Sequence, residues 1–436
     1  MTNTIRKELQ PGLSLTYVQT AKFKTSTLSV NLLTPLSREF AAPNAVLPQI
    51  LLRGSVRYPN MEAITERADE LYGAKIYPLI RKKGEVQCIG LASTFVDEMY
   101  LPKTGGETAI LEPIAELLGE ILLNPATSNG KFRAEYVAGE RDNLLEEIRG
   151  RINNKTTYAL ARLVEQMCAD EPFATFRLGT EDTAETMTAD TLTERYHDLL
   201  ETAQIEIFYC GSVSIERVEA AVQTALIKLP RGTVNTNLQS DVRLQRQGDA
   251  PREFREQLDV TQGKLTLGFR LGNCMQNPSF GSIMLFNYLY GGSVNSKLFL
   301  NVREKLSLCY YAQSVLEKYK GLLFVASGVE FDKYDEARRE ILAQLAGIAA
   351  GDITDEELSW AKRALVTDLR LCADEQDQLE DFCLQQTILG LDYSLEHLIE
   401  SVERTSSTQL GELAAGIELD AVYFLSGISE TAEVTA

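Results

Sequence analysis

The chain has 436 residues, with 43 basic and 62 acidic side chains and a formal net charge of −19. Its length suits two or three domains rather than one core. Its 44% hydrophobic and 24% charged composition is that of a globular protein. The acidic balance argues against a nucleic-acid binder, because neutralising phosphates requires a basic surface. Only two histidines occur, His197 and His397. Histidine is the commonest general base and zinc ligand, so this scarcity narrows the available chemistry. The seven cysteines are scattered without a C-x-x-C pair and read as free thiols of a reducing compartment. The first fifteen residues lack the apolar core of a signal peptide, and no run approaches the ~20 apolar residues of a membrane helix. The expected location is cytoplasmic, with no membrane and no nucleic-acid partner.

In chain order, a strand is expected at 27–34 and a helix at 46–53, which runs into a Gly-Ser turn. A second helix follows at 61–71, then strands at 74–80 and 86–93 as an antiparallel pair. Residues 101–107, with Pro102 and Gly105-Gly106, read as a loop, followed by helices at 107–123 and 128–151 and a strand at 205–210. The polar stretch 236–256 lacks periodicity and reads as a linker. The same order then returns: a strand at 263–270, helices at 279–290 and 296–305, and strands at 308–316 and 321–329. Helices at 333–348 and 354–372 and a strand at 421–425 complete it.

The return is visible in the letters. Leu51-Leu52-Arg53-Gly54-Ser55-Val56 matches Leu289-Tyr290-Gly291-Gly292-Ser293-Val294 at an offset of 238, and Tyr72 with Tyr310 and Gly90 with Gly328 share that offset. A duplicated α+β domain is expected, each copy a mainly antiparallel sheet with helices on one face. Domains are expected at 1–235 and 257–436.

Four segments carry a resemblance to a known family. They are Ile50 through Pro59, Glu140-Arg141 with Glu147, Tyr196 through Gly211, and Gly291-Gly292-Ser293 through Arg303 to Tyr310. Together they resemble the pitrilysin/insulinase family of zinc peptidases, the inverzincins, over nearly the whole chain. Active members carry H-x-x-E-H on the first helix, where two imidazoles one turn apart grip zinc and the glutamate activates its water. Counting back from Gly54 puts those positions on Ala45, Pro48 and Gln49. Both imidazoles and the general base are missing, and Pro48 is expected to displace the start of the helix. Only Glu140 and Glu147 remain at vestigial ligand positions. The interval from Gln49 to Glu147 exceeds the family's usual one, which the loop around 102–106 would explain. His197 and His397 read as ordinary surface or packing residues. No G-x-S-x-G elbow occurs, and Gly291-Gly292-Ser293 with Lys297 does not match a phosphate loop.

The resemblance implies that Arg303 and Tyr310 touch a bound peptide, their donors holding peptide carbonyls. Pro78 suits an edge strand but weakens residues 74–80 as a template for an added peptide strand. The expected function is that of a non-catalytic member that binds peptide or unfolded polypeptide. It would complete the chamber of an active zinc-peptidase partner, or pair with itself, with zinc only in the partner. The division of labour in mitochondrial processing peptidase is the pattern implied. The alternatives are a structural subunit, as in the core subunits of the respiratory cytochrome reductase, and an active enzyme with an altered metal site.

Overall fold

A computed structural model describes residues 3–102, 109–276 and 278–428. The loop expected at 101–107 and the start of the helix expected at 107 lie largely outside them. The described chain forms two compact units. Unit 1 comprises residues up to Arg149, with Thr175–Gln239 and Glu375–Gly390. Unit 2 comprises Gly150–Ala174, Ser240–Asp374 and the residues from Leu391.

The elements run in this order: strands β1 (Asn3–Gln10), β2 (Leu13–Gln19) and β3 (Thr25–Pro35), then helices α1 (Ala41–Leu51) and α2 (Met61–Glu70). The hairpin β4 (Lys75–Lys83) and β5 (Val86–Val96) turns at Gly84, whose φ of 58° few other residues adopt at low cost. Helix α3 (Leu111–Leu123), the two-residue strands β6 (Thr127–Ser128) and β7 (Lys131–Phe132), and helices α4 (Ala134–Gly150) and α5 (Lys155–Met167) follow. Next come α6 (Glu181–Glu185), α7 (Ala189–Thr202), β8 (Gln204–Gly211) and α8 (Ile215–Ala225). The second half contains β9 (Arg252–Leu258), β10 (Gly263–Arg270), α9 (Phe280–Asn287), β11 (Cys309–Glu317) and β12 (Leu322–Val329). It ends with α10 (Tyr334–Ala349), α11 (Asp355–Cys372), α12 (Gln376–Leu389), α13 (Leu395–Arg404), α14 (Ser407–Ala415) and β13 (Glu418–Gly427). The acidic start expected near 354 is a capping box: Thr354 and Glu357 each accept a backbone N–H of the other. Strand β9 begins inside the expected linker. Its alternating burial is a strand pattern that its polar composition, Arg-Glu-Phe-Arg-Glu-Gln-Leu, conceals.

The sheet of unit 1 has the order β1-β2-β8-β3-β5-β4, and that of unit 2 the order β9-β13-β10-β12-β11 when read from β9. In both, one parallel pair (β2 with β8; β9 with β13) sits beside antiparallel neighbours. From β2 onward the two orders are the same, so the α+β domain is duplicated. The offset drifts, however: β10 starts 238 residues after β3, but β11 starts only 234 after β4. Tyr72 therefore precedes β4, at a φ of 59°, whereas Tyr310 lies within β11.

Each sheet face has its own cover. In β3 the apolar side chains Leu28, Val30 and Leu32 enter the core that includes Ala45, Ile114 and Leu199. The alternate residues Ser29 and Asn31 are also buried and meet α12, whose Glu380 accepts hydrogen bonds from both and pairs with Arg81 at 2.7 Å. In unit 2, Leu163 and Met167 of α5 pack with Leu322, Phe324 and Tyr423 on one sheet face. Arg270 of β10 meets Glu171 there at 2.7 Å. A segment from each half thus covers a sheet face of the unit built mainly by the other half. No helix among the described residues is long and apolar enough to cross a membrane.

Candidate functional site

Helix α1 starts at Ala41 and runs through Pro48 to Leu51, so the expected displacement of its start does not occur. Packing accounts for this: every residue from Ala41 to Leu51 except Pro43 and Gln49 is buried, and that burial outweighs the donor Pro48 lacks. Ala45 is 1% exposed and belongs to the core. A larger imidazole there would have no space to occupy.

The two carboxylates of α4 are committed elsewhere. Glu140, 8% exposed, pairs with Arg53 and accepts from Asn143 at 3.1 Å. Glu147 lies on the surface, where Arg177 donates to it at 3.2 Å. An alanine, a proline, an amide and two arginine-paired carboxylates do not make a zinc-ligating set. Among the described residues no group of three or more His, Cys, Asp or Glu side chains is placed to hold a metal ion. His197 is exposed on α7, its ring 5.0 Å from that of Tyr196, and His397 is exposed on α13, 4.8 Å from Tyr393. The buried thiols offer no nucleophile: burial pushes Cys88 and Cys168 up to about 12 and Cys210 up to about 11.

The second candidate region lies in unit 2, and its backbone is irregular throughout. Residues Tyr288–Gly292 and Leu298–Lys305 are π-helical; the second ends with Leu306 N–H donating to the Asn301 carbonyl five residues back. Such turns recur at functional sites. Ser307 follows with a φ of 50°, a left-handed conformation that is costly for a residue with a Cβ. Then comes a β-bulge: Cys309 pairs with Val329 and Tyr311 with Gly328, leaving Tyr310 as the extra residue. Strand β11 is an edge of its sheet, as β4 is of the other. Pro78 thus sits on an edge strand, as expected.

Arg303 is partly exposed, with its guanidinium 4.6 Å from the centre of the Phe299 ring and 3.6 Å from Glu304. Tyr310 is 61% exposed, and its hydroxyl donates to Glu330 at 2.7 Å. That hydrogen bond and the carboxylate's charge raise the phenol above the ordinary tyrosine value. Glu330, at the end of β12, carries no local signature and is not evident from sequence. Neither are Ser307 and the π-turns, because serine and the apolar run 298–302 read as ordinary helix and loop.

Fold and sequence together define an inactive homologue of a zinc peptidase, in which the H-x-x-E-H motif is absent. Comparisons agree. The family described as "Peptidase M16 inactive domain" matches residues 186–365. A Bacillus subtilis (strain 168) protein described as "Probable inactive metalloprotease YmfF" is 31% identical over 423 residues, covering 97% of each chain. The crystal structure of a conserved protein from Enterococcus faecalis V583 superposes with a TM-score of 0.87 at 27% identity, over 98% of this chain and all of that one. The structure of a peptidase M16 inactive domain from Pseudomonas fluorescens shares the fold, with a TM-score of 0.77 at 16% identity over 98% and 99% of the two chains. The chain belongs to the pitrilysin/insulinase (M16) peptidase family, among members that lack the zinc motif.

Proposed function

We propose that this protein captures peptide or unfolded polypeptide through Arg303 and Tyr310 and completes the chamber of an active zinc-peptidase partner. The observation that carries the reading is the contrast between the two regions. Ala45 and Pro48 are buried in the core and Glu140 and Glu147 are paired with arginines, whereas the segment from Arg303 to Tyr310 has a π-turn, a left-handed serine and a bulge, with both side chains accessible. Strain of this kind persists where the surroundings hold it for a purpose. In this reading zinc and the water-activating carboxylate belong to a second chain carrying H-x-x-E-H. The cytoplasm is the compartment that suits seven cysteines, none of them in a disulfide.

The test is purification of the chain alone and with an H-x-x-E-H relative from the same source. The isolated chain should bind no stoichiometric zinc and cleave no peptide, and the mixture should cleave faster than the relative alone. Chelator-sensitive cleavage by the isolated chain would overturn the reading. Stable association with a partner that lacks peptidase activity would favour a structural subunit.

A further inference from the structure

A phenol has one hydrogen to donate, and Tyr310 gives its own to Glu330 Oε1 at 2.7 Å. The oxygen lone pairs of Tyr310 and the second carboxylate oxygen of Glu330 are what remain for a ligand. Glu330 is exposed, and among the described residues its side chain makes no ion pair. The bulge leaves Tyr310 without a cross-strand partner. Leu306, four residues before it, and Phe331, next to Glu330, are each 43% exposed. This end of β11 therefore offers an acceptor pair carrying one negative charge, with the exposed Phe331 next to it in the chain. Arg303, seven residues upstream, supplies the donors.

We propose that Glu330 is a positioning and specificity residue that fixes Tyr310 as an acceptor, so that this end of β11 takes the N–H or ammonium group of a peptide. Peptide carbonyls then fall to Arg303 alone. The inference rests on the peptide-capture reading above and refines it, since the sequence had assigned the tyrosine a donor's role. An ammonium group gains most, because the hydrogen bond it makes is charge-assisted.

The experiment is fluorescence anisotropy of the full chain with labelled peptides of one extended apolar sequence. They carry Lys, norleucine or Glu at a single position, each with a free or an acetylated N-terminus. The Lys peptide should bind about two- to fivefold tighter than the norleucine peptide, the size of one charge-assisted contact at an open site. Glu330→Gln keeps an acceptor for the phenol but removes the charge, so this preference should vanish. A preference that tracks the free N-terminus instead identifies the α-amino group as the source of the ammonium, with the same dependence on Glu330. Peptide binding with an unchanged preference in Glu330→Gln overturns this inference alone. No binding of any peptide overturns the capture reading, and this inference with it. Tyrosine 13Cζ NMR, with the Tyr310 signal assigned through Tyr310→Phe, tests the pair without peptide. The phenol should titrate at lower pH in Glu330→Gln than in wild type, and an unchanged titration refutes the pairing.

Discussion

Arg270 is 1% exposed and makes two charge-assisted hydrogen bonds, to Glu171 at 2.7 Å and to Asp420 at 2.8 Å. Replacing it with methionine keeps the volume of the stem and removes both. Each such bond contributes about 1.5–3 kcal/mol, so the pair sets a ceiling near 6 kcal/mol. The loss is smaller than that ceiling, because Lys320 still meets Glu171 at 2.8 Å and Arg252 still meets Asp420 at 2.9 Å. Breaking one partner out of a buried ion network costs about 3–5 kcal/mol, and about 3–4 kcal/mol is expected here. The single tryptophan, Trp360, lies on α11 in unit 2 and reports that unit's unfolding by fluorescence. With a urea slope of about 2–3 kcal/mol/M, the midpoint should fall by about 1–2 M. Arg243→Met removes a half-exposed arginine 3.7 Å from Glu171 and should cost less than about 1 kcal/mol. A shift for Arg270→Met no larger than that for Arg243→Met would refute the account of how Gly150–Ala174 is fastened into unit 2.

The same network fixes an acid response. Burial alone would raise the Glu171 carboxyl, but hydrogen bonds from Arg270 and Lys320 hold it below the ordinary value. A depressed carboxylate stabilises the fold above its unfolded pKa, and that stability is lost as pH falls through the folded pKa. The Trp360 midpoint should therefore fall on acidification below about pH 4.5 more steeply in wild type than in Arg270→Met; parallel curves would exclude Glu171 as the source. Ser307→Gly relieves a left-handed φ of 50° and should raise the thermal midpoint of unit 2 by an amount equivalent to about 1 kcal/mol; a lower midpoint would mean that the serine side chain is needed. The triple change Ala45→His, Pro48→Glu and Gln49→His rebuilds the motif on paper. It should destabilise unit 1 by about 2–5 kcal/mol through overpacking and unpaired polar groups, without stoichiometric zinc by elemental analysis. Tight zinc binding by that variant would show that Glu147 can leave Arg177.

The central elements of each half were legible because their signals are local: alternating apolar residues in β3 and β10, caps such as Thr354, and glycine turns. The strands β1, β2 and β9 and the helices α5 to α8, α12 and α14 were not expected. The absence of an H-x-x-E-H run is a question of letters at fixed spacing, read from the sequence alone. The cover of the second sheet face was not. Thr27, Ser29 and Asn31 on β3, and Thr266 and Arg270 on β10, read as the solvent side of amphipathic strands. They are buried because α12 and the segment of α5 arrive from the other half: Gln376 accepts from Thr27, Glu380 from Ser29 and Asn31, and Glu171, just after α5, from Arg270. Pairing at that sequence distance leaves no periodicity to read. Glu330 was invisible for a related reason: its role exists only once a bulge turns Tyr310 toward it.

A metal ligand without its metal on a core helix would have structural consequences of its own. Imidazoles that no longer bind zinc would be buried polar groups without partners, each costing about 1–3 kcal/mol. Alanine at position 45, in the core with Val46, Leu47 and Ile50, carries no such cost. An acid at position 140 faces the same problem, which is solved here by Arg53 rather than by replacement. These changes bring the region into agreement with packing and hydrogen-bonding rules. The segment from Arg303 to Tyr310 departs from those rules. It carries a π-turn, a left-handed serine and an exposed tyrosine that donates to Glu330, an acid without an ion pair among the described residues. We therefore place the proposed peptide capture on the segment from Arg303 to Tyr310, where costly backbone geometry coincides with accessible side chains.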